Sequence, residues 1–445
     1  MKSRFPHPLL IIVSFILLAG VATYLLPQGE YERTIDPVTN REVVVSGSYH
    51  SVEAAPLSPF EILVAVPRGI AKGLGVIVMI FMGGACFYVV EKTGALKAGI
   101  LYLTHRFKGR EEFTLVLVGV FFLAGGTLEG MEEEVIPLIP ILLFLGRRLG
   151  FDAFVVISVS YGATVIGASM SPLNAFGVLL AQKIANVPIF SAWLFRMVVL
   201  IVAFVLWMWM ILRYGKKNRL TREVSNDDVV AGPISRRHGV ILLIVVMTFA
   251  MLIFGLMKLD WGFDEMSAEF FLVGLVCGLI GGLGLNGTSS AYVEGLREMT
   301  FAALIVGFAH GISLVLMDGK ILDTVIYGLF VPMESLPPSL SAIGMMTSQF
   351  FLHVFVPSYT GQAALTLPIL APLSDLIGLS RQVCVLAFQY GAIMMNLLSP
   401  TCGSLMAILA LSGISYDQWF GFVVRRMAVL FLCCMIAVTL ASFLI

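Results

Sequence analysis

Hydrophobic residues occur along this chain in separate runs of about 20 positions, divided by short polar stretches. An α-helix of that length crosses about 30 Å of hydrocarbon, whereas outer-membrane barrels use alternating segments of about 10 residues. The pattern therefore predicts an all-α polytopic membrane protein. The first run, Pro8 to Pro27, is longer than the apolar part of a signal peptide and lacks a clear small-residue cleavage site. We therefore expect it to be an uncleaved first transmembrane helix.

The basic residues between the runs indicate the topology, because lysine and arginine accumulate on the cytoplasmic side of membrane proteins. Lys2 and Arg4 place the N-terminus in the cytoplasm, and the strongly basic stretch 213–237 is expected to be a cytoplasmic loop. The polar stretch 28–67 is expected to lie outside. These anchors give about nine crossings and an external C-terminus, with helices near 8–27, 69–90, 152–185, 193–212, 239–257, 268–285, 300–317, 381–411 and 427–445.

Two other apolar runs predict re-entrant hairpins. The run 114–146 has Arg110 before it and Arg147 after it, with glycines near its middle, so it is expected to enter and leave on the cytoplasmic side. The run 342–378 has no lysine or arginine at either edge and a turn at Pro357–Gly361, which fits an approach from outside. Each hairpin would present a polar tip within the membrane.

The two hairpins belong to two copies of one pattern. Shifting the chain by 228 positions superposes Ser171-Pro172 on Ser399-Pro400. Each copy consists of a helix, a hairpin, an interrupted helix and a helix, and the copies start from opposite sides. Such inverted repeats are typical of secondary transporters, which bind substrate at the repeat interface near the midplane. The chain then divides into a first helix with an external loop, a first repeat, a cytoplasmic loop with two linking helices, and a second repeat, over residues 1–68, 69–213, 214–299 and 300–445.

Composition excludes several other classes of protein. Of the 445 residues, 58% are hydrophobic and 13% are charged, against about 25% charged in a soluble domain. Basic and acidic residues number 28 each, so no nucleic-acid partner or polybasic surface is expected. The six cysteines lie in apolar runs without the paired spacing of a metal site or a disulfide framework. They are expected to be small core residues.

The two interrupted helices carry the motifs SMSPLNAF and NLLSPTCG. Serine is a favoured N-cap and proline a favoured first helical residue, so Ser171-Pro172 and Ser399-Pro400 are expected to restart half-helices. The free N–H groups of these helix starts would face a midplane cavity and bind a carboxylate. The alternative is a pair of proline kinks without a ligand.

The hairpin tips are the other candidate binding elements. Each acidic side chain at a tip costs about 2.5–3.5 kcal/mol at the bilayer centre unless it lines water, binds a cation or is protonated, and the first tip carries Glu129, Glu132, Glu133 and Glu134. Alternatively, this hairpin is shallow and the glutamates are solvated. The second tip offers Ser358, Thr360 and Gly361 for neutral recognition of a carboxylate. Neither hairpin contains lysine or arginine, so an anion would need amides, hydroxyls and a co-bound cation such as Na⁺, for which Asn174 and Asn396 supply oxygens.

Four segments together resemble one transporter family: EGMEEEVIPLIPI (129–141), DGKILDT (318–324), VPSYTGQAALTLPILAPLSDLIGLSRQV (356–383) and NLLSPTCG (396–403). They are similar to the YfcC-type transporters of the C4-dicarboxylate anaerobic carrier and arginine/ornithine antiporter-like family, and the similarity covers nearly the whole chain. The resemblance implies an inverted-repeat carrier with a scaffold domain and a mobile domain, an elevator movement and a homodimer. It implies substrate and ion contacts at Ser171, Asn174, Ser358, Thr360, Gly361, Asn396, Ser399 and Thr401.

The chain departs from the family pattern at positions that bear on the coupling ion. The pattern has an asparagine at position 353 and an acidic residue at 392, where this chain has His353 and Ala392. The pattern also has a PSGSG tip, which Tyr359 interrupts here. These departures favour proton coupling through His353 or a tip glutamate, with Glu133 or Glu129 preferred. The alternative is a histidine that is simply hydrogen-bonded.

These observations predict a secondary active transporter of the inner (plasma) membrane for a small carboxylate-bearing metabolite. The substrate is a C4-dicarboxylate or an amino acid, and transport is coupled to a cation gradient or to exchange. No cofactor is expected beyond Na⁺ or H⁺ as coupling ion, and the expected partners are the substrate, the lipid bilayer and a second copy of the chain. A basic amino acid antiporter is the alternative within this class. The other classes are a passive channel, a membrane scaffold and an intramembrane hydrolase, for which no HExxH, paired-aspartate or GxSxG motif is present.

Overall fold

Long helices dominate the computed structural model, which describes residues 6–37, 39–107, 109–128, 130, 132–220, 234–259 and 261–445. In chain order they are α1 (Pro8–Leu25), α2 (Pro59–Lys72), α3 (Leu74–Lys92), α4 (Ala95–Arg106), α5 (Glu111–Leu128), α6 (Ile139–Leu149), α7 (Ala153–Ile157), α8 (Ala163–Ser169), α9 (Leu180–Ile184), α10 (Trp193–Lys217), α11 (Arg236–Lys258), α12 (Phe263–Ile280), α13 (Gly284–Asp318), α14 (Leu322–Phe330), α15 (Pro338–Leu352), α16 (Tyr359–Leu376), α17 (Arg381–Ala392), α18 (Gly403–Ser412) and α19 (Tyr416–Leu444).

Within the described ranges, seven helices are long and apolar enough to cross a membrane, namely α1, α3, α5, α10, α11 over Arg236–Leu256, α13 and α19. At 1.5 Å per residue, the shortest of them, with 18 residues, is about 27 Å long, close to the thickness of the hydrocarbon core. The prediction of a helical polytopic membrane protein is therefore confirmed.

The loop between α1 and α2 contains two small antiparallel sheets, in which the first strand pairs with the fourth and the second with the third: β1 (Gly29–Glu30), β2 (Arg33–Asp36), β3 (Arg41–Val44) and β4 (His50–Ser51). This loop is fixed to α14 through the buried carboxylate of Asp323. The Asp323 carboxylate accepts a hydrogen bond from the Tyr31 backbone N–H at 3.0 Å and another from the Arg33 guanidinium at 2.9 Å. The sheets therefore pack against the helices instead of projecting from them.

Helix α2 corrects one prediction, because it begins at Pro59 inside the stretch that the polar pattern assigns to a loop. Its start is a capping box: the Ser58 hydroxyl accepts from the Glu61 N–H at 3.3 Å, and the Glu61 carboxylate accepts from the Ser58 N–H at 2.7 Å. These hydrogen bonds from the Ser58 side chain and backbone hold the pKa of the Glu61 carboxyl below its usual range. A capped first turn thus forms a helix that average polarity does not reveal.

Helix α13 corrects a second prediction, because it begins at Gly284 and not near residue 300. Its polar first half packs against glycines of α12. A Cβ at Gly278 would lie 2.5 Å from the Thr288 side chain, and one at Gly274 would lie 2.6 Å from Tyr292. Close packing on small residues stabilises this part of the helix, and hydropathy does not register that kind of packing.

Two helix–turn–helix units occupy the runs that predict hairpins: α5 and α6 flank the tip 129–138, and α15 and α16 flank the tip 353–358. The first helix of each unit touches an interrupted helix backbone to backbone. A Cβ at Gly126 of α5 would lie 2.1 Å from the carbonyl oxygen of Thr164 in α8. A Cβ at Gly391 of α17 would lie 2.2 Å from the carbonyl oxygen of Met346 in α15. Glycine is required at both contacts because any side chain would separate the helices.

Both helices that carry the Ser-Pro motifs are interrupted, as predicted. The first begins with α7, a π-helical turn and α8, and it leaves helical geometry at Met170. It resumes at Ala175 with a second π-helical turn, which leads into α9. The second continues from α17 through a 3-10 turn, breaks after Leu397 and resumes as α18 at Gly403. Each half of the chain therefore shows the same order: a helix–turn–helix unit, an interrupted helix and a long helix.

Candidate functional site

One cavity of about 460 Å³ lies where the two tips and the two helix interruptions meet. The sequence-predicted site residues in its wall are Glu132, Glu133, Glu134, Asn174, His353, Ser358, Thr360, Asn396 and Thr401. The predicted residues Ser171, Pro172, Gly361 and Ser399 are not part of this wall. Glu129 lies outside the residues that the structure describes. The cavity therefore gathers polar side chains from four segments that are far apart in the sequence.

The rest of the wall comes from α2, α3, α11, α12 and α13, and it brings a basic side chain that sequence analysis missed. Lys72, the last residue of α2, and His310 of α13 both line the cavity. The end of α2 reaches this position because a Cβ at Gly69 would lie only 2.6 Å from the backbone nitrogen of Gly311 in α13, so the two helices are in direct contact. No local pattern marks Lys72, since its position depends entirely on this helix contact.

The first interruption is shaped by Ser171, although not as a helix cap. Its hydroxyl donates to the Thr127 carbonyl at 2.5 Å and accepts from the backbone N–H groups of Leu173 and Asn174 at 2.9 and 2.8 Å. The Asn174 side chain then caps the resumed helix by accepting from the Gly177 N–H at 2.9 Å. The prediction that Ser171-Pro172 begins the half-helix is wrong by three residues, because the serine hydroxyl closes a tight turn first.

The second interruption follows the same principle. The Ser399 and Thr401 hydroxyls lie 2.5 Å apart, and the Thr401 hydroxyl donates to the Val354 carbonyl of the second tip at 2.7 Å. Helix α18 starts only at Gly403, so Pro400 is not its first residue and the prediction is wrong here as well. The Ser399 hydroxyl therefore positions the Thr401 hydroxyl by a hydrogen bond, and the Thr401 hydroxyl in turn links the interruption to the second tip.

The second tip closes the cavity with Ser358, Tyr359 and Thr360. Ser358 caps α16, because its hydroxyl accepts from the Gly361 N–H at 3.3 Å. The Tyr359 ring stacks on Phe388, with ring centroids 5.1 Å apart and an interplanar angle of 9°. A Cβ at Gly177 would lie 1.9 Å from this ring, so the tyrosine is in contact with the first interrupted helix. Tyr359, which departs from the family pattern, thus connects the second tip to the other half of the chain.

The first tip contributes the carboxylates of Glu132, Glu133 and Glu134 to the cavity wall. Glu132 accepts hydrogen bonds from two side chains. Glu132 is 7% exposed, and its Oε2 accepts from Asn396 Nδ2 at 2.7 Å and from the Tyr161 hydroxyl at 3.1 Å. The neighbouring Glu133 interacts with the Ser404 side chain at the start of α18. The first tip therefore contacts the second interruption directly.

His353 ends the first arm of the second hairpin and is 1% exposed. Its Nε2 lies 2.9 Å from Asn396 Oδ1, and its Nδ1 lies 2.6 Å from Gln362 Oε1. Asn396 therefore bonds to Glu132 with one end of its amide and to His353 with the other. The two tips are joined through a single asparagine side chain.

The model of the DcuC family, described as C4-dicarboxylate anaerobic carrier, matches residues 5–443 of this chain. The chain belongs to the DcuC family. A relative from Escherichia coli (strain K12), YfcC, is named as a candidate basic amino acid antiporter; it is 32% identical over 93% of this chain and 92% of its own length. An uncharacterized protein of Haemophilus influenzae is 28% identical over 96% and 95% of the two chains. The solved structure of Neisseria gonorrhoeae MtrF, described among antimetabolite efflux pumps, has 16% identity and a TM-score of 0.45, covering 99% of this chain and 96% of its own.

Membership of the DcuC family makes this chain a secondary transporter and a multi-pass membrane protein. The prediction of a transporter, as opposed to an enzyme, is confirmed by the carrier family and the antiporter relative. For a DcuC-family chain, the cavity between tips and interruptions is then the candidate transport site. Its wall combines carboxylates, hydroxyls, amides and one lysine.

Proposed function

We propose that this chain is an elevator-type secondary carrier of the inner membrane for a small carboxylate-bearing metabolite, with an amino acid preferred to a C4-dicarboxylate. Transport is coupled to a cation gradient or proceeds by exchange. The observation that carries the proposal is the convergence of both tips and both helix interruptions on one cavity of about 460 Å³. A space of that size suits a small metabolite.

The distribution of charge around the cavity favours an amino acid with a cationic group. Glu132, Glu133 and Glu134 line one part of the wall, whereas Lys72 lies in the part formed by α2, α3, α11, α12 and α13. Among the described residues, three glutamates against one lysine attract a cation and repel a doubly negative ligand unless the glutamates are neutralised. An amino acid complements both kinds of side chain, because its cationic group can bind the glutamates and its carboxylate can bind Lys72 and the tip hydroxyls.

A C4-dicarboxylate is the second candidate, and the second tip favours it. Ser358, Thr360 and Lys72 all line the cavity, and two hydroxyls and an ammonium group can together hold a carboxylate. Binding of a second carboxylate requires the three glutamates to be protonated or to bind a cation such as Na⁺. The DcuC family description names C4-dicarboxylates, which is consistent with this candidate.

The repeated order of elements supports the proposal of two inverted repeats and of an elevator movement. In this proposal, α5–α9 and α15–α18 form the mobile domain, and the wall that contains Lys72 belongs to the scaffold. The N-terminus is cytoplasmic, the C-terminus is external, and two copies of the chain form a homodimer. Introducing single cysteines at Glu112 and at the exposed Arg147 tests the topology, since labelling from one common side is expected if the first hairpin is re-entrant.

Transport by purified protein in liposomes tests the function. Liposomes loaded with unlabelled L-arginine should take up external ¹⁴C-L-arginine by exchange, and liposomes loaded with succinate should exchange ¹⁴C-succinate less rapidly. Changing Thr360→Val removes a cavity hydroxyl while keeping the shape of the side chain. The loss of one hydrogen bond to a charged ligand, about 1.5–3 kcal/mol, should raise the KM about tenfold or more.

Thr439→Val is the matched control, because the Thr439 hydroxyl in α19 donates to the Met435 carbonyl of its own helix and does not line the cavity. This variant should transport like the parent. Equal KM values for the two valine variants would contradict the proposal that the second tip binds substrate. Faster exchange of succinate than of L-arginine would identify the dicarboxylate, and not the amino acid, as the preferred substrate.

A further inference from the structure

An unbroken series of side-chain hydrogen bonds runs from the first tip into the second hairpin. Glu132 Oε2 accepts from Asn396 Nδ2, Asn396 Oδ1 faces His353 Nε2, and His353 Nδ1 faces Gln362 Oε1, at 2.7, 2.9 and 2.6 Å. All four side chains are buried. Buried polar groups must be paired, so the donors and acceptors along this series determine where its protons lie.

The proton on Nδ1 of His353 follows from the orientation of Gln362. Gln362 Nε2 donates to the backbone carbonyl of Gln349 at 2.8 Å and to the side-chain Oε1 of Gln349 at 2.6 Å. A carbonyl oxygen can only accept, so the nitrogen of the Gln362 amide points there and its oxygen points to His353. His353 Nδ1 must therefore carry a proton whenever its contact with the Gln362 oxygen is paired.

The orientation of Asn396 leaves two arrangements. In the first, Asn396 Nδ2 donates to an ionised Glu132 and its Oδ1 accepts from His353 Nε2, so both ring nitrogens are donors and the ring is an imidazolium. In the second, the amide is turned over: a protonated Glu132 donates to Oδ1, and Nδ2 donates to the lone pair of a neutral His353. Both arrangements are fully paired, and both hold the same single proton.

Removing that proton leaves no fully paired arrangement. With an ionised Glu132 and a neutral His353 that keeps its proton on Nδ1, the Asn396 oxygen has no donor. In one orientation of the amide this oxygen faces the carboxylate, and in the other it faces the lone pair on Nε2 of the ring. One of the two contacts between the tips is then lost. The contact between the first tip and the second hairpin therefore depends on one bound proton.

We propose that Glu132, Asn396 and His353 form one proton-binding unit, and that this unit couples transport to a proton gradient. The inference rests on the proposed carrier function and names the coupling ion. Both Glu132 and His353 line the cavity, so the proton enters from cavity water and returns to it. Release of the proton weakens the bridge between the tips, and this links proton movement to opening of the cavity. Asn396 is a positioning residue, because its side-chain amide does not titrate.

Other titratable groups face this unit from each packed element. Glu132 interacts electrostatically or by hydrogen bonding with four of them: Glu133 and Glu134 from the same tip, Tyr161 from the first interrupted helix and Cys402 from the second interruption. Lys72 and His310 line the cavity from α2 and α13. Around His353 the direct partners are the amides of Gln362 and Asn396. Glu132 is therefore the member that senses the surrounding charges, and His353 is shielded from them by amides.

Infrared spectroscopy of the purified full-length protein in lipid vesicles, titrated with pH, tests the unit without any substrate. In the parent, the carbonyl stretch of a protonated carboxylic acid and the imidazole bands should change with one common midpoint. Glu132→Gln should remove that carboxylic acid signal and move the imidazole midpoint. Asn396→Leu keeps the number and branching of the side-chain heavy atoms but removes the amide, and it should split the common midpoint into two. An unchanged carboxylic acid signal in Glu132→Gln, or an unsplit midpoint in Asn396→Leu, would overturn the proposal.

Flux measurements separate this inference from the proposed function. A pH gradient without sodium should drive ¹⁴C-L-arginine movement in the parent, up to about tenfold per pH unit, and Glu132→Gln should lose this drive. Glu294→Gln and His50→Asn, two exposed residues remote from the cavity, are the matched controls and should keep it. Drive by sodium alone that persists in Glu132→Gln would overturn the proton site and leave the carrier intact. No movement of L-arginine or succinate in the parent under any gradient would overturn the carrier function itself.

Discussion

Replacing Gly126 by alanine tests whether backbone contact between α5 and α8 holds the first tip in place. A Cβ at this position would lie 2.1 Å from the Thr164 carbonyl oxygen, and ordinary van der Waals contact begins at 3.4 Å. The two helices must therefore separate by about 1.3 Å. The carbonyl is part of α8 and cannot rotate away as a flexible side chain would.

This separation has two consequences that should appear together. Overpacking of this kind costs about 1–3 kcal/mol, so the melting temperature should fall. Glu132 comes four residues after the end of α5, and a displacement of about 1.3 Å transmitted to it lengthens its 2.7 Å bond from Asn396 beyond the range of a hydrogen bond. Gly126→Ala should therefore also lose transport driven by a pH gradient.

Thermal unfolding in detergent and uptake by liposomes measure the two effects. Gly119→Ala is the matched control on the same helix, because its Cβ would meet the flexible thioether of Met208, with the sulfur at 3.1 Å, and the Phe204 ring at an ordinary contact distance of 3.4 Å. The control should unfold near the parent temperature and transport normally. If Gly126→Ala unfolds and transports like Gly119→Ala, helix contact at this position does not hold the tip.

Two further changes test the packing around the site. Arg196→Met should lower the melting temperature, because it leaves the buried side-chain oxygen of Gln389 without its guanidinium donor, at about 1–3 kcal/mol, whereas the Ser191 carbonyl keeps its hydrogen bonds from Gln182 and Gln382; an unchanged melt would show that water replaces the arginine. Ser58→Ala should destabilise α2 above the unfolded pKa of Glu61, and the difference from the parent should shrink as the pH falls through the lowered folded pKa; a difference that is constant with pH would exclude Glu61 from the cap.

Properties that depend on neighbouring residues in the chain could be predicted from the sequence. Runs of apolar residues predict membrane helices because burial of side chains in hydrocarbon is roughly additive along a helix. The Ser-Pro motifs predict the two interruptions because proline removes a backbone donor at its own position. The same local reasoning placed the half-helix starts three residues too early, since a serine hydroxyl can close a turn as well as cap a helix.

Sequence reasoning found the candidate residues but could not rank them. It preferred Glu133 or Glu129 for coupling, whereas the structure gives Glu132 the direct bond to Asn396, 264 positions along the chain. It also missed Lys72, whose place in the cavity depends on the contact between α2 and α13. An isolated arginine in an apolar run was the available signal for the buried Arg196, because a charge in a membrane segment requires partners.

The sequence by itself thus determined the class of protein, the approximate positions of most membrane helices and of the two interruptions, and the residue types available for chemistry. Only the tertiary structure decided which of those residues meet. Side-chain hydrogen bonds act over about 3 Å, and the partners at this site are separated by hundreds of positions in the chain. Their pairing depends on how the helices pack, and that packing depends on glycine contacts whose effect is visible only when both helices are in place.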